Sequence, residues 1–118
     1  MTTNTRLAVL GRYMDGFRRS DHDTVLDCLT DDVLWRVHGL RTTTGKAEFD
    51  TEIENPDFEG SPELTVNRTS EDGDVVVITG TGVGRHKQAG RFSFVFCDLF
   101  TFSDDLIAEV ESYVVPVS

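Results

Sequence analysis

The sequence predicts an α+β domain in which a cone-shaped, curved antiparallel or mixed β-sheet wraps around about three N-terminal helices. Two observations lead to this class. Apolar residues recur at helical spacing early in the chain, whereas the later part alternates between apolar and polar residues and is interrupted by glycine and aspartate turns. Helices followed by a run of strands are typical of α+β domains, and a bent sheet packed across helices can enclose a cavity.

Three helices are expected before the main run of strands. Over residues 5–19, apolar side chains recur every three or four positions on a face that also carries Tyr13 and Phe17. A short second helix follows directly, and a third is expected over residues 46–54. Between these two, residues 33–38 are expected to form the first strand.

The strands of the second part of the chain are expected over residues 63–69, 75–83, 91–102 and 106–117. Acidic and glycine-containing turns separate them and favour hairpins. Gly80, Gly82 and Gly84 share one face of their strand. This spacing indicates that the strand is sharply curved or closely approached by a neighbour.

The strand over residues 91–102 carries the most informative pattern in the chain. Phenylalanine occupies every even position except one, which is Asp98. Because residues two apart share a face, one carboxyl group is aimed into a surface of aromatic rings. Asp98 is therefore either a functional pocket acid or a structural group that fixes the first helix to the sheet. The opposite face is also mostly apolar, so we expect both faces to be covered.

Length, charge and cysteine content restrict the class of protein. A chain of 118 residues with 38% hydrophobic residues fits one domain spanning residues 1–118. The net charge of −10 argues against nucleic acid or an anionic membrane as partner. No apolar run is long enough to span a membrane, and the N-terminus lacks the pattern of a signal peptide. We therefore expect a cytoplasmic protein whose two cysteines are reduced.

Neither a metal nor another cofactor is expected. The three histidines and two cysteines never fall at ligand spacing. The glycines at positions 80–84 lack the dinucleotide-binding spacing and the helix that must follow it.

Three segments of the chain resemble a known family. They are RYMDGFRRSDHDTVLDCLTDDVLWRVHG, TGKAEF and FCDLFTFSDDLIAEVESYVV. In this order and spacing they resemble the SnoaL-like and ketosteroid-isomerase-like branch of the NTF2-like superfamily, over nearly the whole chain. The resemblance implies the cone-shaped fold, a single SnoaL-like domain and a homodimer formed through the sheet, as many members have.

The resemblance also implies roles for individual residues. Steroid isomerases of this family bind the substrate oxygen with a first-helix tyrosine and a protonated late-strand aspartic acid, which fall on Tyr13 and Asp98. The family's general base, an aspartate late in the first strand, falls on or beside Val37. His38 is the remaining candidate base, although strand alternation places it on the face opposite to Val37 unless a bulge turns it inward.

These residues predict an apolar pocket for a small apolar or aromatic carbonyl compound, lined by Trp35, Val37, Phe17, Phe94, Phe96 and Phe100. An enzyme of the isomerase, cyclase or dehydratase type would use Asp98 to carry the proton and Tyr13 to bind the developing oxyanion. The alternative is a non-catalytic ligand-binding or dimeric interaction protein of the same fold. Glu109 and Glu111 either enter the pocket or lie at a sheet edge or dimer rim.

Overall fold

The computed structural model describes residues 3–117, and these residues form three helices and six strands. In chain order the elements are α1 (Thr3–Arg18), α2 (His22–Asp27), β1 (Leu29–Val37), β2 (Arg41–Thr44), α3 (Gly45–Asp50), β3 (Glu63–Asp72), β4 (Val75–His86), β5 (Gly90–Ser103) and β6 (Leu106–Val117). None of the helices in this range is long and apolar enough to cross a membrane.

All six described strands belong to one mixed, open sheet with the order β2-β1-β6-β5-β4-β3. Only the β1–β6 pair is parallel. The register shifts between β1 and β6, between β3 and β4, and between β5 and β6, and such bulges bend a sheet. The predicted α+β class, with a curved sheet and three helices, is confirmed.

The largest differences from the predicted elements concern β1, β2 and α3. β1 begins at Leu29 rather than at residue 33, because Leu29 pairs with Ile107 of β6 instead of extending the second helix. β2 has no predicted counterpart, since its sequence Arg-Thr-Thr-Thr offers no apolar alternation. α3 ends at Asp50, four residues before the predicted end, and the chain continues as turns.

The three glycines of β4 make room for the phenylalanines of β5. They pair directly across the two strands, in the register Gly80–Phe96, Gly82–Phe94 and Gly84–Phe92. A Cβ atom at Gly82 would lie 2.1 Å from the Phe94 ring. Each of these rings therefore occupies the space above a residue without a side chain, and the predicted close approach is confirmed.

An aromatic cluster fixes the helices to the inner face of the sheet. The Tyr13 ring of α1 lies edge-on to Phe100 of β5, with 5.4 Å between ring centroids. Phe49 of α3 stacks on Trp35 of β1 at 4.7 Å, and Phe17 contacts both of these rings. These contacts join α1 and α3 to β1 and β5. The side of the sheet that the helices cover, where the core lies, is called the inner face.

The outer face of β5 and β6 is open to solvent in the single chain. Val95 is 39% exposed, Tyr113 43% and Val115 55%. The expectation that both faces of the phenylalanine-rich strand are covered is therefore wrong for one copy of the chain, because every helix packs against the inner face.

His22 joins α2 to the segment that ends α3. Its Nδ1 atom lies 2.5 Å from Asp50 Oδ1, and its Nε2 atom lies 2.6 Å from Glu54 Oε2. The hydrogen bonds to Asp50 and Glu54 raise the pKa of the imidazole. The protonated imidazole can donate a hydrogen bond to both carboxylates at once. It thereby ties α2 to residues 50–54, and Glu52 of this segment lines a cavity.

Candidate active site

A cavity of about 320 Å³ lies between the helices and the inner face of the sheet. This volume is roughly that of ten water molecules and falls at the small end of ligand-binding pockets. Its wall is mainly apolar and includes side chains singled out from the sequence, namely Phe17, Trp35, Val37, Phe94 and Phe96. Tyr13 and Asp98 reach the same cavity.

Phe100 does not line this cavity, which corrects the pocket predicted from the sequence. Its side chain is fully buried and lies in contact with the Tyr13 ring. It shares a strand face with Phe94 and Phe96, but α1 covers that end of β5. Phe100 thus belongs to the core that supports Tyr13.

Asp98 presents a buried carboxyl group to the cavity. Its Oδ1 atom is inaccessible to solvent and has no hydrogen-bond partner among the described residues. Burial raises the pKa of the Asp98 carboxyl group to about 6, although a side-chain hydrogen bond from Ser112 acts in the opposite direction. The group is therefore largely ionised at neutral pH and takes up a proton in mildly acidic solution.

A bulge in β6 decides which side chain lies beside Asp98. Near the hairpin turn, Phe102 pairs with Ile107, and that register would bring Glu111 opposite Asp98. Thr101 pairs instead with Glu109, so one extra residue of β6 shifts all later pairs and Ser112 lies opposite Asp98. The bulge replaces a second carboxyl group by a hydroxyl group on the inner face.

Tyr13 is the second polar group of the deep cavity. The residue is 4% exposed, and its hydroxyl group makes no hydrogen bond to another residue of the described chain. Burial, together with the charges of Asp98 and Cys28, raises the pKa of Tyr13 well above its ordinary value. Tyr13 therefore stays neutral and can act as a hydrogen-bond donor across the physiological pH range.

His38 lies outside the cavity, which corrects its assignment as a candidate base. Its Nε2 atom lies 3.2 Å from Glu111 Oε1, and its ring stacks on Tyr113 with 4.4 Å between centroids. The backbone of His38 donates to the Ser112 carbonyl at 3.0 Å, so the pairing of β1 and β6 continues without the bulge that would turn the ring inward.

Glu109 and Glu111 lie on the outer face and do not enter the cavity. Glu109 forms an ion pair of 3.0 Å with Arg36, while Glu111 contacts His38. Of the two sequence alternatives for these acids, the outer-face position is the observed one. Because Ile107 lies before the bulge, it is buried and does not share their face.

The mouth of the cavity is more polar than its interior. Arg41 of β2 and Glu52 line it and form an ion pair with 2.6 Å between Nε and Oε1. Arg85 of β4 also lines it, and its Nε atom lies 3.9 Å from Glu59. Leu40, 72% exposed, completes this rim. Among the described residues, no group of three or more histidine, cysteine or acidic side chains is placed to hold a metal ion.

The cavity thus presents two polar groups in apolar surroundings, the Asp98 carboxyl group and the Tyr13 hydroxyl group. The sequence pattern identified both residues. Ser112 was missed because a lone serine on a strand carries no signal, and only the strand register places it beside Asp98.

The sequence and the fold both have recognisable relatives. The SnoaL-like domain family matches residues 10–110, which is most of the chain. No functionally curated protein matches the sequence.

Solved structures share the fold at low sequence identity. An LEH-like epoxide hydrolase from M. tuberculosis has a TM-score of 0.81 and 21% identity, covering 95% of this chain and 84% of that chain. An NTF2-like protein from Anabaena variabilis ATCC 29413 has a TM-score of 0.82 and 17% identity, with coverages of 97% and 93%. A candidate polyketide cyclase from Xanthomonas campestris pv. campestris has a TM-score of 0.77 and 18% identity, with coverages of 93% and 90%. The chain therefore belongs to the SnoaL-like domain family and shares the fold of NTF2-like proteins.

Proposed function

We propose that the protein binds a small, largely apolar carbonyl compound in this cavity and transfers a proton at the carbon atom next to the carbonyl group. The observation that carries the proposal is that the Asp98 carboxyl group and the Tyr13 hydroxyl group converge on one mainly apolar cavity. An apolar pocket with a few convergent polar groups and a perturbed carboxyl pKa is typical of ligand and active sites.

In the proposed step, ionised Asp98 removes a proton from the carbon next to the carbonyl group. The electron pair of the broken C–H bond forms the C=C bond of an enolate, and negative charge moves to the carbonyl oxygen. Tyr13, which stays neutral, donates a hydrogen bond to that oxygen. Asp98 then returns the proton to another carbon of a conjugated system, or exchanges it with solvent before returning it. The step needs no oxidant, reductant or cofactor.

The number of carboxyl groups favours a reaction with one base. The cavity lining contains Asp98 and Glu52, and Glu52 is engaged by Arg41 at the mouth. A single group that takes a proton and later gives it back is sufficient for isomerisation or proton exchange. Reactions that need a separate acid and base would require a second deep ionisable group.

The test is the exchange of carbon-bound protons into D₂O, followed by ¹H NMR with a panel of small cyclic and aromatic ketones. We expect the wild-type protein to accelerate exchange next to the carbonyl group and Asp98→Asn to abolish the acceleration. Tyr13→Phe is expected to slow it by about 10²–10³-fold, the usual cost of removing one oxyanion donor.

Asp105→Asn is the matched control. Asp105 also has a buried, unpartnered Oδ1 atom, but it lies outside the cavity lining, so this variant should exchange protons at the wild-type rate. Equal exchange rates in Asp98→Asn and the wild-type protein would overturn the proposed chemistry.

A non-catalytic ligand-binding protein is the second candidate. It is favoured by the position of His38, which leaves no histidine among the residues that line the cavity. In this case, ketones would perturb the NMR signals of cavity residues in the wild-type protein without any accelerated exchange.

A further inference from the structure

Ser112 occupies a special position relative to Asp98. The two residues are direct cross-strand partners of β6 and β5, and Ser112 is 6% exposed on the inner face. Its side chain lies beside the Asp98 side chain on this face and also lines the cavity. The proposed function assigns this hydroxyl group no role.

Trp35 fixes the role of the Ser112 hydroxyl group. The indole Nε1–H group donates to Ser112 Oγ at 3.0 Å. An indole N–H can only donate, so Ser112 must accept from it. The one proton of the serine hydroxyl is then free to point at Asp98, and a hydroxyl group that already accepts a hydrogen bond is a stronger donor.

We propose that Ser112 is a positioning residue which, oriented by Trp35, donates its only proton to Asp98 and holds that carboxyl group in its charged form. The inference rests on the proposed function, in which Asp98 acts as the base. Burial alone favours the neutral acid, and a donor aimed at the carboxylate opposes burial. Ser112 therefore increases the fraction of Asp98 that is ionised, and thus able to remove a proton, at neutral pH.

The other ionisable groups around the cavity do not replace this effect. Tyr13 is the only one in the deep part and remains neutral. Arg41, Glu52 and Arg85 line the mouth, and the first two neutralise each other. The causes that shift the pKa of Asp98 are burial and the hydrogen bond from Ser112.

The test is a ¹³C NMR titration of the Asp98 carboxyl carbon, which needs no substrate. Ser112→Ala should raise the pKa of Asp98 by about one unit, a tenfold change in its ionisation constant. Ser112→Thr, which keeps the hydroxyl group, should restore the wild-type pKa. Trp35→Phe should raise it by a smaller amount, because the hydroxyl group is then free to turn away.

Thr43→Val is the matched control. Thr43 is similarly buried, pairs with Trp35 from β2, and has a hydroxyl group without a hydrogen-bond partner. Removing that hydroxyl group should leave the pKa of Asp98 unchanged. An unchanged pKa in Ser112→Ala, or an equal shift in Thr43→Val, would overturn the inference.

The titration separates this inference from the proposed function. A protein without exchange activity can still show the Ser112 effect, and an active protein can lack it. Should Ser112→Ala fail to fold, the Trp35→Phe variant decides, because an unchanged Asp98 pKa there contradicts the orienting role of the indole.

Discussion

At the scale of single residues, Asp98 shows how a binding site can reduce the stability of the protein that carries it. The fold buries a carboxyl group and leaves one of its oxygen atoms without a partner. Such a group destabilises the folded state whenever it is ionised, because the unfolded chain would hydrate it. The hydrogen bond from Ser112 offsets only part of this penalty, since the pKa of Asp98 remains raised.

Asp98→Asn is therefore expected to stabilise the protein at high pH. A pKa raised from 3.8 to about 6 corresponds to about 3 kcal/mol in the free energy of unfolding. Well below pH 3.8 the carboxyl group is protonated in both states, so its favourable contribution is complete there. That contribution is lost as the pH rises through about 6.

Urea unfolding of both proteins at pH 4 and pH 8 tests this expectation. The variant should gain about 2.5 kcal/mol relative to the wild-type protein between pH 4 and pH 8. If the difference in free energy of unfolding between the two proteins were the same at both pH values, or favoured the variant more at pH 4, burial would not penalise ionised Asp98.

At the scale of secondary-structure elements, the pairing of β4 with β5 sets the width of the cavity. The Phe94 ring lies over Gly82 and lines the cavity from that position. At Gly80, an added Cβ atom would lie 2.0 Å from the backbone carbonyl oxygen of Thr65 in β3, so a side chain there would collide with the backbone. Gly82 is the better position for a test, because its obstacle is a side chain.

Gly82→Ala should push the Phe94 ring into the cavity, reduce its volume and weaken the binding of ketones. Overpacking of this kind typically lowers the free energy of unfolding by about 1–3 kcal/mol. Gly11→Ala is a control that should change the free energy of unfolding in the opposite direction. Nothing lies within 4 Å of its added Cβ atom in α1, so it should stabilise the protein by up to about 1 kcal/mol.

Urea unfolding and NMR titration with a ketone test both variants. Unchanged affinity in Gly82→Ala would mean that the phenylalanine ring does not set the cavity width.

The elements also show what the sequence could reveal about the site. Alternation of phenylalanines identified β5 and the inward direction of Asp98, because a two-residue period is a direct property of strands. Alternation could not reveal the bulge in β6, which places Ser112 rather than Glu111 beside Asp98. It also could not show that α1 covers Phe100, since coverage depends on tertiary packing.

At the scale of the whole molecule, one chain leaves apolar side chains on the outer face of the sheet uncovered. Val95 pairs with Val115, and Cys97 pairs with Tyr113, so these side chains form a contiguous patch. Arg36 of β1 and its ion-pair partner Glu109 border this patch. Exposed apolar patches bordered by polar residues are typical of interaction sites.

We propose that a second copy of the chain covers this patch, as the family resemblance implies. Analytical ultracentrifugation should then find a dimer for the wild-type protein and a monomer for Val95→Glu, because two buried carboxylates would face each other without partners. Val66→Glu is the control, since Val66 is 45% exposed and pairs with Gly80, whose face of the sheet is the inner one.

A monomeric wild-type protein, or a dimer that persists in Val95→Glu, would contradict the proposed interface. The net charge of −10 per chain adds a further expectation. Two copies repel each other, so the dimer should strengthen when salt screens the charges.

The parallel pairing of β1 with β6 has a consequence for the order in which the protein folds. Among the described strands, β6 alone joins β1 and β2 to the other three, and it follows all of them in the chain. Trp35 and Ser112, which meet across this pair, are 77 residues apart in the chain. Contacts of such long range form slowly, because a large loop must close first. The cavity is therefore completed only after β6 has been synthesised and has paired with β1, because both strands contribute to its wall.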